Sequence, residues 1–169
     1  MERTKIFQIV GFQNSGKTTL MKKLIAYGQK QGFRIGTIKH HGHGGAPEGK
    51  IQQKDSKKHL TAGAVVSAVE GEGILQLETP NLKWNLKEIV SIYQAFSLDL
   101  LFIEGYKRES FAKFVLIRNE DDLEQLKELS NIKAIISWIP NATLPKIPVY
   151  SIHECDAFVE ELFTKLIEK

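Results

Sequence analysis

The stretch Gly11-Phe12-Gln13-Asn14-Ser15-Gly16-Lys17-Thr18 matches the phosphate-binding pattern G-x-x-x-x-G-K-[ST] at every required position. The apolar run before it, residues 6–10, predicts a buried strand. Apolar residues at helical spacing after it predict a helix over residues 18–27 that ends near Gly32. Because a strand, a glycine loop and a helix are the context that this pattern needs, we predict that the chain binds a nucleoside triphosphate.

The chemistry of such a loop assigns a role to each part of the motif. Glycines at 11 and 16 let the backbone turn tightly, so that its N–H groups meet phosphate oxygens. The following helix adds the positive end of its dipole. Lys17 would reach the outer phosphates as a catalytic cation, and the Thr18 hydroxyl would bind Mg²⁺. The predicted nucleotide-binding residues are Gly11, Gln13, Asn14, Ser15, Gly16, Lys17, Thr18 and Thr19.

Length and composition describe one soluble domain over residues 1–169, with 42% hydrophobic and 25% charged residues. No apolar run approaches the ~20 residues of a membrane span, and no signal peptide precedes the first strand. The single cysteine, Cys155, cannot form an internal disulfide, so we expect a cytoplasmic protein without a membrane partner.

The charge is distributed unevenly along the chain. Residues 1–58 hold 12 Lys and Arg against 3 Asp and Glu, a formal charge of +9, whereas residues 59–169 carry −6. A basic first third suits a polyanionic ligand, although ordinary surface scatter would look the same. The sequence lacks the Arg-rich tracts and interleaved aromatic residues of a nucleic-acid surface, so we expect no nucleic-acid partner.

Strands and helices alternate along the rest of the chain. Further strands are predicted at residues 33–38, 98–104, 114–117, 132–136 and 148–152, and further helices at residues 85–96, 121–129 and 156–168. A short helix is predicted to close near residues 60–64, and residues 65–78 predict an inserted β-hairpin with a bulge. The alternation predicts an α/β fold with a doubly wound, mainly parallel sheet, as in P-loop NTPases.

The hairpin has an apolar face that we assign to Ile74, Leu75 and Leu77. Three large apolar side chains exceed what a small edge hairpin can bury alone, so this face is the candidate surface for the homodimer that a family resemblance, given below, implies. Alternatively, the hairpin folds onto its own domain.

Acidic candidates are sorted by the end of the strand on which they lie, because ligands of such sheets bind beyond the carboxyl ends of the strands. Glu104 ends the predicted strand 98–104, at the same edge as the phosphate loop, whereas Asp99 lies roughly 16 Å away at the opposite edge. Glu104 is therefore the predicted catalytic acid, which holds Mg²⁺ through water or orients an attacking group. A solvated Glu at a strand end is the alternative. Asp55 is a second candidate for Mg²⁺, or the N-cap of a helix.

A glycine-rich loop with three histidines follows the second predicted strand. Lys39, His40, His41 and His43 belong at the working edge, and Arg108, after Glu104, adds a cation that neutralises phosphoryl charge or faces water. The histidine loop could bind an anion or substrate, hold a transition metal, or be merely exposed. Base identity is not readable, since the [NT]-K-x-D signature of many GTPases is absent. Residues 137–141 follow a late strand, where a base-contacting loop could sit, but they show no known code.

Four segments in this order resemble one family: Gly11–Thr19, residues 37–44 with Lys-His-His-Gly-His-Gly, residues 55–64, and residues 100–107 with Glu-Gly-Tyr-Lys. They resemble the molybdopterin-guanine dinucleotide biosynthesis protein B family, MobB, over nearly the whole chain. The resemblance implies a dimeric GTP-binding protein with weak GTPase activity that assists the MobA-type nucleotidyltransferase in attaching GMP to molybdopterin. It also implies that residues 13–18 bind phosphates and that Thr18 and Glu104 serve Mg²⁺.

Three other functions share these motifs. A small-molecule kinase would transfer phosphate to an acceptor. A metal-delivery GTPase would bind metal stoichiometrically through the histidine loop. A nucleotide-gated adaptor would bind the triphosphate with negligible turnover.

Overall fold

The computed structural model describes residues 4–41, 54–80 and 82–168. Its strands are β1 (Lys5–Gly11), β2 (Ile35–Lys39), β3 (Ser67–Gly71), β4 (Ile74–Glu78), β5 (Leu100–Glu104), β6 (Ala112–Ile117), β7 (Ile132–Ser137) and β8 (Val149–Ser151). Its α-helices are α1 (Lys17–Lys30), α2 (Lys54–Thr61), α3 (Leu86–Tyr93), α4 (Glu120–Glu124) and α5 (Cys155–Ile167). No helix among the described residues is long and apolar enough to cross a membrane.

Six strands form one sheet in the order β2-β5-β1-β6-β7-β8, and all five neighbouring pairs are parallel. The chain moves to one side of β1 for β2 and β5, and then crosses to the other side for β6, β7 and β8. The sheet therefore reverses its direction of growth beside β1, which is where such sheets place their ligands. The predicted parallel, doubly wound sheet is confirmed.

Helices cover both faces of this sheet because its central strands are apolar on both sides. On one face, Phe102 and Phe114 of the sheet pack with Leu24 of α1 and with Phe163 of α5. On the other face, α3 packs against β2 and β5, and the segment from α4 to Leu129 packs against β1, β6 and β7. The sheet is thus buried between the two helical layers.

The hairpin of β3 and β4 is a separate antiparallel sheet. Its strands join through Glu72 and Gly73, with φ angles of 50° and 79°, and Gly71 pairs directly with Ile74. Such a two-residue turn with two positive φ angles needs no bulge, so the predicted bulge is wrong. The prediction of a single apolar face is wrong too. Side chains alternate along a strand, so Ile74 and Leu75 lie on different faces of the hairpin. Both hairpin faces expose large apolar residues.

Two predicted helices differ from the structure. The helix over residues 85–96 begins with the expected capping box, in which the Asn85 side chain accepts the Glu88 N–H and the Glu88 carboxylate accepts the Asn85 N–H. It is α-helical only to Tyr93 and continues as a 3₁₀ turn, which a left-handed Ser97 terminates. The acidic helix over residues 121–129 is likewise a short α4 followed by a 3₁₀ turn.

Candidate nucleotide-binding site

The segments after β1, β2 and β5 meet at one edge of the sheet because these three strands are neighbours. They surround an open cavity of about 1120 Å³. The predicted site residues that line it are Gly11, Gln13, Asn14, Gly16, Lys17, Thr18, Thr19, Lys39, His40, His41 and Glu104. Ser15 of the same loop is fully buried, and its hydroxyl has no hydrogen-bond partner among the described residues. The structure therefore brings the glycine loop, the acidic residue and the start of the histidine loop together.

The loop from Gly11 to Gly16 has the backbone of an anion site. A Cβ on Gly11 would lie 2.7 Å from the Ser15 hydroxyl oxygen and 2.8 Å from the Leu116 carbonyl oxygen, so only glycine fits there. Gly16 precedes α1 in the left-handed conformation and offers no side-chain cap. The first amides of α1 keep their N–H groups available, and these donors favour negative charge.

Lys17 lines the cavity. Its ammonium donates a hydrogen bond to the Phe12 carbonyl oxygen, 2.5 Å away. Burial lowers the pKa of Lys17, an effect that the Glu104 carboxylate opposes and that Lys39 and Arg118 reinforce. A phosphate oxygen would compete with the Phe12 carbonyl for this ammonium and would favour its charged form.

Glu104 joins two sides of the cavity. Its Oε2 lies 3.5 Å from the Thr18 hydroxyl and its Oε1 lies 3.6 Å from the Lys39 ammonium. A hydroxyl and a carboxylate are hard oxygen donors, the kind that Mg²⁺ takes from proteins while keeping several waters. The pair thus fits a hydrated Mg²⁺ ion.

Asp99 marks the opposite end of β5. Its backbone carbonyl accepts the N–H of Lys5 at the start of β1, and its carboxylate accepts the N–H of Arg34, 2.6 Å away. Both contacts lie at the amino edge of the sheet. The predicted direction of this strand, with Glu104 at the working edge and Asp99 remote from it, is confirmed.

His40 is held against the end of β5. The backbone N–H of His40 donates to the Glu104 carbonyl oxygen over 2.9 Å, and the centre of its ring lies 4.3 Å from that of the Tyr106 ring. Gly105, with a φ of 97°, permits this approach, since a Cβ there would lie 2.9 Å from the His40 Cβ. His41 lines the cavity beside it, and His43 lies outside the described residues.

Within residues 4–41, 54–80 and 82–168, no group of three or more His, Cys, Asp and Glu side chains could hold a metal ion. Asp55, the second Mg²⁺ candidate, does not line the cavity. Its side chain is 83% exposed and forms an ion pair of 2.8 Å with Lys58. It lies in the first turn of α2, so it is also not the N-cap. Arg108 does line the cavity.

Two buried polar residues support the loop after β5, and sequence reasoning missed both. Gln8 of β1 donates to the carbonyl oxygens of Gly105 and Tyr106, at 3.1 and 2.7 Å. Lys113 of β6, its neighbour in register, donates to the carbonyl oxygens of Glu109 and Phe111. Burial lowers the pKa of Lys113, and the Glu109 carboxylate opposes that shift. The available signal was a polar residue inside an otherwise apolar strand.

Two more residues hold the phosphate loop from outside the motif; sequence reasoning missed Arg118, and it named the segment of Trp138 without its contact to this loop. Arg118, after β6, donates to the Gln13 carbonyl oxygen over 3.0 Å, and its guanidinium lies 5.0 Å from the centre of the Phe12 ring. Asp122 holds Arg118 in place through bonds to two guanidinium nitrogens. Trp138, after β7, donates its indole N–H to the Ser15 carbonyl oxygen over 2.9 Å. The loop is therefore held by hydrogen bonds to the carbonyl groups of Gln13 and Ser15.

Comparison with known proteins identifies the family. The family model described as "Molybdopterin guanine dinucleotide synthesis protein B", MobB, matches residues 6–138. The chain belongs to the MobB family. This confirms the resemblance, and the matched region contains the phosphate loop, Glu104 and Trp138.

Relatives in the MobB family cover most of the chain. A probable molybdopterin-guanine dinucleotide biosynthesis adapter protein of Bacillus subtilis is 45% identical over 131 residues, 78% of this chain and 75% of the relative. The adapter protein of that name in Escherichia coli is 35% identical, over 95% and 94% of the two chains. The crystal structure of Bacillus subtilis MobB has a TM-score of 0.79 at 37% identity, covering 95% and 96%. That of a MobB homologue from Bacillus stearothermophilus has a TM-score of 0.77 at 36% identity, covering 97% and 99%.

Proposed function

We propose that this chain is an adapter of molybdopterin guanine dinucleotide synthesis that binds GTP and Mg²⁺ in the cavity. The observation that carries the proposal is the meeting of the Gly11–Thr18 loop with Glu104 and the Lys39–His41 segment in one cavity. The relatives' names support the adapter role and the choice of guanine, since their product contains a guanine nucleotide. The cytoplasmic location expected from the sequence belongs to the same proposal.

The residues of the cavity divide the work of holding a triphosphate. The amides of the loop and the Lys17 ammonium would bind phosphate oxygens, while Thr18 and Glu104 would hold Mg²⁺. When bound, Mg²⁺ neutralises charge on the outer phosphates. Phosphoryl transfer depends on positioning and charge stabilisation, so this donor set supports weak GTPase activity, with Glu104 orienting a water.

The wall beside the phosphate loop is where we place molybdopterin. Lys39, His40 and His41 line the cavity next to Lys17, so a phosphate-bearing pterin would meet several donors at once. A precursor bound there would lie next to the nucleotide.

An adapter needs partners, and we propose two. The first is a MobA-type nucleotidyltransferase, the enzyme that would join GMP to molybdopterin. The second is another copy of this chain. Ile74, Leu75 and Leu77 of β4 are 66%, 60% and 50% exposed, and a hairpin apolar on both faces suits burial between two copies.

Calorimetry with GTP and Mg²⁺ tests the nucleotide site. Lys17→Ala should weaken binding by roughly a hundredfold, because a charge-assisted hydrogen bond to phosphate contributes up to about 3 kcal/mol. Lys22→Ala is the matched control, since Lys22 is an exposed lysine of the same helix outside the cavity. Wild-type affinity in the Lys17 variant would contradict the proposal.

A further inference from the structure

Trp138 occupies an unusual position beside the phosphate loop. It directly follows β7, at the edge of the sheet that carries the cavity, and 46% of its surface is exposed. Its indole N–H is already used by the Ser15 carbonyl oxygen. The exposed part of the Trp138 side chain is therefore the apolar surface of its ring.

The end of β8 adds a second aromatic ring to this spot. The ring of His153 lies 6.1 Å from that of Trp138, at an angle of 77°. Trp138 lies inside a short turn in which the Ser137 hydroxyl accepts the N–H of Ile139, and His153 ends a similar turn in which the Ser151 hydroxyl accepts the backbone N–H of His153. Both rings are thus held at the ends of adjacent parallel strands.

Of the two rings, that of Trp138 adjoins the backbone that would carry the phosphates. A Cβ built on Gly16 would lie 3.6 Å from the Ile152 side chain and 4.0 Å from the edge of the Trp138 ring. Gly16 directly precedes Lys17. A nucleotide whose phosphates reach Lys17 therefore has an exposed aromatic surface next to its binding loop.

We propose that Trp138, with His153 beside it, is the base subsite of the nucleotide, and that it holds the flat nucleobase by stacking. The inference rests on the proposed triphosphate site and adds a binding place for the nucleobase, which that site does not contact. Stacking on an aromatic side chain accepts any base, because every base has a π-face. Such a subsite needs no [NT]-K-x-D code, which agrees with the lack of that pattern.

The two tryptophans of the chain allow a direct test. Trp84 lies elsewhere, donating its indole N–H to the Thr79 hydroxyl, so Trp84→Phe leaves Trp138 as the only tryptophan. In that variant, GTP with Mg²⁺ should change the Trp138 fluorescence strongly. Inorganic tripolyphosphate, which has phosphates but no base, should bind with little change. A GTP complex with unaltered Trp138 fluorescence would overturn the base subsite.

Substitution of Trp138 separates stacking from support of the loop. Trp138→Ala removes the ring and the bond to Ser15 together, so it should weaken both ligands, but GTP by roughly ten- to a hundredfold more than tripolyphosphate. Trp138→Phe keeps a ring but also loses the N–H, so it should restore most of the preference for GTP over tripolyphosphate without restoring the bond to Ser15. Equal losses for GTP and tripolyphosphate would show that Trp138 only braces the loop, which overturns the subsite alone. Failure of the wild type to bind either ligand would instead overturn the triphosphate site as well.

Discussion

Replacing Glu104 by Gln should change how the cavity responds to Mg²⁺ while leaving the fold intact. Only 13% of the Glu104 side chain is exposed, and its carboxylate lies between Thr18 and Lys39. Gln has the same shape and can still accept a hydrogen bond from Thr18. The substitution therefore removes one negative charge and little else.

The distance between the Glu104 carboxylate and the Lys39 ammonium gives the scale of charge interactions in this cavity. Two unit charges 3.6 Å apart interact by about 1 kcal/mol in water and about 5 kcal/mol at an effective dielectric of 20. Because the Lys39 side chain is 67% exposed, solvent screening favours the lower figure. A triphosphate in the cavity would repel Glu104 on a similar scale. Without Mg²⁺, Glu104→Gln should thus bind GTP about fivefold more tightly than the wild type.

With Mg²⁺ the order should reverse, since the variant lacks one of the ion's two proposed protein ligands. We expect Mg²⁺ to raise GTP affinity less in Glu104→Gln than in the wild type, and most GTP hydrolysis to be lost. Calorimetry in excess EDTA and in excess Mg²⁺ gives the GTP affinity without and with the ion. Phosphate release, measured in parallel, gives the rate of GTP hydrolysis.

The pH dependence of GTP affinity is a second test of the Glu104 charge. Lys17 must be protonated to bind phosphate, and Glu104 raises its pKa against the dominant effect of burial. Removing Glu104 lowers that pKa further. Without Mg²⁺, GTP affinity should therefore begin to fall at a lower pH in the variant than in the wild type as the pH rises.

Asp99→Asn is the control, because it removes a carboxylate from the other end of β5 and its amide oxygen can still accept the Arg34 N–H. It should behave like the wild type in every assay. An unchanged Mg²⁺ response in Glu104→Gln, or an altered one in Asp99→Asn, would refute the assignment of Glu104.

Three further expectations concern the partner surface, the histidines and the core. Sedimentation at micromolar concentrations should give a dimer, and a monomer mass would contradict the role proposed for the Ser67–Glu78 hairpin. Replacing His40 and His41 by Ala should weaken binding of molybdopterin and spare GTP; loss of stoichiometric Zn²⁺ or Ni²⁺ in that variant would favour metal delivery instead. Gly28→Ala should lower the free energy of unfolding by about 1–2 kcal/mol in urea, since the new methyl would lie 2.5–2.7 Å from two side chains, whereas Gly71→Ala has open space and should change it little.

The elements near the motif could be predicted from sequence because local patterns decide them. The apolar run before Gly11 and the helical spacing after Lys17 give β1 and α1 directly, and the end of β5 places Glu104 at the same edge. The capping box at Asn85 is equally local. Such features need only the chemistry of neighbouring residues.

What the sequence left open depends on contacts between distant residues. The bond from Trp138 to Ser15 spans 123 residues and that from Arg118 to Gln13 spans 105. Neither is visible until the strand order places β6 and β7 beside β1. The wrong prediction of a single apolar face on the hairpin has a local cause. Successive side chains of a strand point to opposite faces, so Ile74 and Leu75 cannot share one face.

These distant contacts explain how the loop presents its amides. A trans peptide is planar, so its N–H and C=O groups point in opposite directions. Arg118 binds the Gln13 carbonyl and Trp138 binds the Ser15 carbonyl, so the Asn14 N–H points away from Arg118 and the Gly16 N–H points away from Trp138. Asn14 and Gly16 both line the cavity in which the phosphates would bind. Two peptide groups of the phosphate loop are therefore held by side chains that follow β6 and β7, well outside the motif itself.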